Sequence, residues 1–175
     1  MVSRMSTPRD VPDTADVIHE GEGPIVPETP ASLASFTARG FFPADYAAVE
    51  SDKVYTSGGY WSTLRFPQFP AVLPACSLVA VIEIPFHANQ ADHTLRMGLI
   101  GPDNEPMQFK VEGLFRTAPK IEQLYGEPGS AAVAVPVQGL TFERPGKYNF
   151  TLAVDDREIS RYSFTVVHST LIPVR

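Results

Sequence analysis

The run SLVAVIEIPFH, from Ser77 to His87, sets Leu78, Ala80, Ile82 and Ile84 on one side of an extended chain and Val79, Val81 and Glu83 on the other. That is a period of two, the strand period, because successive Cβ atoms of a pleated chain point to opposite faces. The alternation continues downstream. In DHTLRMGLI (Asp92–Ile100), Leu95, Met97 and Leu99 oppose Thr94 and Arg96; in MQFKVEGLF (Met107–Phe115), Met107, Phe109, Val111 and Phe115 oppose Gln108, Lys110 and Glu112. Lys147–Val154 opposes Tyr148, Phe150, Leu152 and Val154 to Asn149 and Thr151, and Glu158–Val167 opposes Tyr162, Phe164 and Val166 to Ser163 and Thr165. One apolar and one polar face per strand predicts antiparallel sheets packed on a core on one side. Upstream, Gly40–Val49 and Lys53–Trp61 are less regular runs of the same kind.

The composition agrees. A chain of 175 residues fits one domain with an appendage, and 43% apolar and 10% aromatic residues suffice for a core. The 17 prolines exclude a helical bundle, since each interior proline removes a helix hydrogen bond at a cost of ~3 kcal/mol. A net charge of −6 makes the whole chain a poor binder of polyanions. The single cysteine, Cys76, excludes an intramolecular disulfide and a multi-thiolate zinc site. No apolar run is long enough for a membrane helix.

Turn chemistry punctuates the strands. Gly101-Pro102-Asp103-Asn104, Asp155-Asp156 and Pro145-Gly146 separate or open the clear strands, and the short link Glu50–Asp52 predicts a hairpin between the two upstream runs. Pro85 and Pro136 cannot donate to a ladder and belong at strand ends or sheet edges. Arg65–Cys76 is proline-studded and is expected to cross between sheets, with the P-x-x-P spacing of Phe66–Pro70 inside it. Arg116–Ser130 holds one weak helical candidate, Pro119–Tyr125. Seven or eight short strands with such links make an all-β, antiparallel, immunoglobulin-like sandwich over 39–168.

Residues 1–38 differ. Five prolines and six acids against Arg4 and Arg9 leave too few apolar residues to repay ordering. No h-region marks a signal peptide. The stretch is expected to be a disordered or extended acidic tail, or a strap that orders on a partner through Val17, Ile18, Ile25 and Val26. Residues 169–175 are read as a short C-terminal tail.

Several segments carry a resemblance: Ala44-Asp45-Tyr46-Ala47 with Lys53-Val54-Tyr55 and Gly58-Gly59-Tyr60-Trp61; Glu83-Ile84-Pro85-Phe86 leading into His93-Thr94-Leu95-Arg96; and Gly139-Leu140 with Pro145-Gly146-Lys147-Tyr148 before Val154-Asp155. Phe41 to Val167 resembles an uncharacterised actinobacterial family of small β-sandwich proteins, a domain of unknown function. The resemblance implies a fold and no activity.

Candidate chemistry is sparse. His87, Asp92 and His93 bracket one link and could supply three metal ligands with open positions, yet their spacing matches no ligand motif, and Asn89 and Asp92 read equally as caps of a polar turn. Cys76 adjoins a very apolar strand with nothing nearby to lower its pKa. Ser57-Gly58-Gly59 lacks the first glycine of a nucleophile elbow. Asp45, Glu50 and Asp52, like Asp155-Asp156, read as link and turn acids without the regular spacing of a calcium loop. Gly21-Glu22-Gly23-Pro24 carries an acid and opens no helix, so it makes no phosphate cradle. The basic residues are scattered singly beside acids. Gly58-Gly59-Tyr60-Trp61 predicts a bend that delivers Trp61 to the core, with an exposed aromatic platform as the competing reading.

These features predict a non-enzymatic binding or assembly module without cofactor, engaging a protein partner or another copy of itself, and neither nucleic acid nor membrane. The alternatives are a structural component of a larger particle such as a phage virion, and a small-ligand binder or metal-dependent enzyme using the His87–His93 link. The absence of an export signal and of a disulfide predicts a cytoplasmic location, or one within an assembled particle.

Overall fold

A computed structural model describes residues 35–117 and 124–169. Nine strands follow one another among them: β1 (Thr37–Glu50), β2 (Lys53–Gly59), β3 (Thr63–Phe66), β4 (Ala71–Ile84), β5 (Asp92–Ile100), β6 (Pro106–Arg116), β7 (Gly129–Phe142), β8 (Gly146–Val154) and β9 (Arg157–His168). They form a four-stranded sheet in the order β2-β1-β4-β7 and a five-stranded sheet in the order β3-β9-β8-β5-β6. All pairings are antiparallel except the short β3–β9 pair.

The strand order is that of an immunoglobulin-like sandwich. β1, β4 and β7 take the places of strands A, B and E, and β9, β8, β5 and β6 those of G, F, C and C′. A second feature is independent of topology. Near the start of β8, the buried Tyr148 donates its hydroxyl to the Arg144 carbonyl at 2.7 Å, which is the tyrosine corner of this fold. Phe150, two residues on, fills with an aromatic ring the place where antibody domains carry their second cysteine.

The predicted faces are met. Leu78, Ala80, Ile82 and Ile84 are fully buried, as are Phe150, Leu152, Phe164 and Val166. Phe150 and Phe164 stack at 4.9 Å, and Trp61 packs edge-on against both, at 6.4 and 5.4 Å. Trp61 therefore lines the core. Two-residue turns close the hairpins: Ser51 and Asp52, and again Asp155 and Asp156, have positive φ at both positions, the geometry whose twist suits paired strands. Pro85 follows the end of β4, and Pro136 lies on the edge strand β7.

Three features differ from expectation. The strands number nine, because Thr63–Phe66 pairs in parallel with the distant β9 and Gly129–Phe142 forms a full edge strand. The crossing between sheets is confined to residues 67–70, and Phe66 and Phe69 pack against the core. Within β4 and β7 the inward series also changes parity, from Leu73 to Cys76 in one and from Val137 to Leu140 in the other. The change falls at Pro74, which has no N–H to pair, and at Gly139, whose φ of 66° suits glycine. The helical candidate 119–125 falls almost wholly outside the described residues, and so do Val17, Ile18, Ile25, Val26 and the tail that carries them.

Candidate functional site: the β1–β2 arm and the His93 clasp

β1 pairs with β4 only as far as Ala44, opposite Ser77. Beyond that point the strand pairs with β2 alone, through five registered positions out to Glu50–Lys53. One hydrogen bond, from the Ala47 N–H to the Ser77 Oγ at 3.2 Å, ties it to β4, and both arm strands also come against β7. Residues 45–57 thus form a two-stranded arm that adds little to the core.

The arm carries large apolar surface in water. Tyr46, Tyr55 and Tyr60 are 62%, 51% and 61% exposed. Tyr46 lies opposite Ser57 and Tyr55 opposite Ala48, so both tyrosines share one face, a diagonal step apart. Tyr60 sits at the base. Its ring stacks on Phe42 with centroids 4.0 Å apart, and its N–H donates to the Pro43 carbonyl at 2.9 Å. Tyr60 has φ of 62°, a left-handed conformation that costs a non-glycine residue about 1–2 kcal/mol. The stack and the hydrogen bond hold it there. Gly58 is left-handed too, and a Cβ on it would overlap the Asp45 carboxylate, so only glycine fits the bend. The four-residue sequence cluster therefore divides: Trp61 enters the core and Tyr60 faces solvent.

The His87–His93 link contains no assembled metal site. His87 is exposed on a short 3-10 turn, Phe86–Ala88. Asp92 accepts two hydrogen bonds from the Arg116 guanidinium, each 2.7 Å, and that hydrogen bond, above all, holds its carboxyl below the usual range. His93 continues the inward series of β5 and is 7% exposed, between Phe36 and Phe115. Its Nδ1 lies 2.7 Å from the Asp155 Oδ2 and its Nε2 lies 2.8 Å from the Ala88 carbonyl. Both partners are acceptors, so the charged ring, with a proton on each nitrogen, satisfies both at once. No group of three His, Cys, Asp or Glu side chains among the described residues is placed to hold an ion.

What the ring does instead is clasp. Asp155, in the β8–β9 turn, also accepts the Thr94 N–H at 2.9 Å, and Ala88 belongs to the link, so one imidazolium ties three segments together. Burial would push the His93 pKa down; the Ala88 carbonyl, then the Asp155 and Asp92 carboxylates, outweigh it and raise the pKa above its ordinary value. Asn89, expected to cap its own turn, instead accepts the Thr117 hydroxyl at 3.2 Å. Cys76 is buried, and burial followed by the charge of Asp45 pushes its thiol up to about 11. The outer face of the five-stranded sheet is a lattice of ion pairs: Arg96 with Glu112 and Asp156, Lys110 with Glu112, Arg161 with Glu158.

The sequence profile of a family of unknown function, DUF6941, matches residues 39–167, which is all but the outermost residues of the sandwich. The chain belongs to that family. The expected kinship with an uncharacterised family is met at that level, and the match carries no source organism. No curated protein matches the chain. Among solved structures, an immunoglobulin-like protein from Pseudomonas aeruginosa is 12% identical, with 78% of this chain and 100% of the other covered and a TM-score of 0.32. That likeness carries no weight, and the fold of this DUF6941 member rests on its strand order and tyrosine corner. No helix among the described residues is long and apolar enough to cross a membrane.

Proposed function

We propose that this DUF6941 protein is a non-enzymatic protein-binding module and that the β1–β2 arm makes the contact. One observation carries the proposal: Tyr46, Tyr55 and Tyr60 remain more than half exposed on an arm that contributes little to the core. Tyrosine in water gives a protein interface large contact area, a hydroxyl and little lost entropy. The occupant is a protein surface with a basic rim, since the arm exposes the carboxylates of Asp45 and Glu50. Asp92 and His93, the groups weighed as ligands, are tied up in structure, in the pair with Arg116 and in the clasp.

The test replaces Tyr46, Tyr55 and Tyr60 together by Ser and follows complexes cross-linked from Lys53 in the source cells. The triple variant is expected to keep its fold and lose the cross-linked partner, while Leu114→Ser, which alters a still more exposed residue on β6, keeps it. Retention of the partner by the triple variant refutes the arm. A cross-link to a second copy, with a doubled mass in light scattering, replaces the basic partner by self-association.

A further inference from the structure

On another side of the sandwich the two sheets stay open. β7 ends the four-stranded sheet and β6 ends the five-stranded one. Between them runs a groove of about 550 Å³ floored by Leu99, Met107, Phe109 and Leu140, with Gln138 and Glu143 on its rim. It continues past Pro106 and Met107 into a second hollow of about 210 Å³ beside Glu105.

Both walls are strand edges, and each presents a row of backbone N–H and C=O groups with no ladder partner among the described residues. Edges are commonly blunted by proline or lysine. Here Pro106 opens β6 at one end of the groove and Pro136 and Lys110 lie just beyond it, while Met107–Phe109 and Gln138–Thr141 carry neither. Met107 and Phe109 are spaced to receive alternate side chains of an extended occupant. Charge adds direction. Glu105 and Glu143 gather where the two hollows meet and form no ion pair among the described residues, while the neighbouring Arg144 is already held by Asp103 at 3.0 Å.

We infer that the β6–β7 groove binds an extended peptide by strand addition, taking alternate apolar side chains on its floor and a lysine or arginine at its Glu105–Glu143 end. The site is separate from the arm and does not depend on it. An extended backbone is the occupant that satisfies free strand edges, and a basic residue is the one that two unpaired carboxylates favour.

A displayed library of random decamers supplies the probe. Selection on the full-length protein is expected to enrich peptides with apolar residues at alternate positions and one terminal Lys or Arg. A selected decamer should lose at least roughly fivefold in affinity on the surface double variant Glu105→Arg/Glu143→Arg, whose melting temperature stays unchanged. Proline at alternate positions of the decamer, which removes its donors, should abolish binding. Hydrogen exchange should slow in β6 or β7 on binding. Selection without alternation, affinity indifferent to the charge reversal, tolerance of the prolines, or protection confined to the β1–β2 arm would each overturn the inference.

Discussion

Replacing His93 by Leu tests the reasoning about the clasp, because its effect must depend on pH with a fixed sign. The native ring is 7% exposed and holds a proton on each nitrogen, at 2.7 Å from Asp155 and 2.8 Å from Ala88. Its folded pKa is raised, so between the unfolded value near ~6.5 and the folded value the native state binds up to one proton more than the unfolded chain. Stability therefore falls as pH rises through that window, by at most about 1.4 kcal/mol per pH unit. At the acid end the sign reverses, since Asp155 is held below the usual carboxyl value (its burial opposes this, and the Thr94 N–H and His93 prevail) and the clasp weakens once Asp155 is protonated.

The magnitude follows from the bonds. Hydrogen bonds to charged groups contribute about 1.5–3 kcal/mol each, and the half-exposed Asp155 regains much of its share from water when the ring is removed. His93→Leu is thus expected to cost about 2–3 kcal/mol at pH 5.5 and less as the pH rises and the wild-type ring loses a proton and keeps one bond. At ~3 °C per kcal/mol for a chain of this size, melting followed by circular dichroism should show a gap of about 7 °C at pH 5.5 that narrows toward pH 8.5. A gap equal at both pH values, or larger at pH 8.5, refutes the doubly protonated ring.

Three further outcomes are expected. Tyr148→Phe removes the 2.7 Å bond to the Arg144 carbonyl and should lower stability by about 1–2 kcal/mol in denaturant titration; no loss would show that the corner does not brace β8. Gly58→Ala forces a Cβ onto the Asp45 carboxylate at a left-handed position and should cost about 1–3 kcal/mol, with partial recovery when combined with Asp45→Ala, and an unchanged melt would sink the account of the bend. Cys76, buried and with its thiol pushed up to about 11, should resist a thiol reagent at pH 8 until the chain unfolds; prompt labelling of the native protein would contradict its place in the core.

The parts of the fold that escape the sequence have common causes. β7 reads as small apolar residues, Ala131 to Val135, partly buried throughout, so the polar-apolar contrast that marks its neighbours is missing. β3 has only four residues, and its partner β9 lies about a hundred positions away. For the candidate site the division is similar. The period of β5 places His93 inward with Leu95 and Met97, yet its company in the link, His87 and Asp92, offers it as a ligand, because Asp155 stands 62 residues away and looks like a turn acid. Tyr60 and Trp61 are adjacent and alike in chemistry, and the backbone bend at Gly58–Tyr60 alone separates core from solvent.

What the chain determined by itself is whatever depends on neighbours along it: the two-sided strands, the Asp-rich turns, the prolines at edges and the absence of long helix from the described sandwich. Those follow from a pleat of period two and from local dihedral preferences, which act over a few residues. Which edges stay open, which acid meets His93 and which tyrosines stay in water was decided only when two sheets packed face to face. Such contacts join residues many positions apart, and no local preference encodes the partner of a side chain whose place is set by the packing of the whole core.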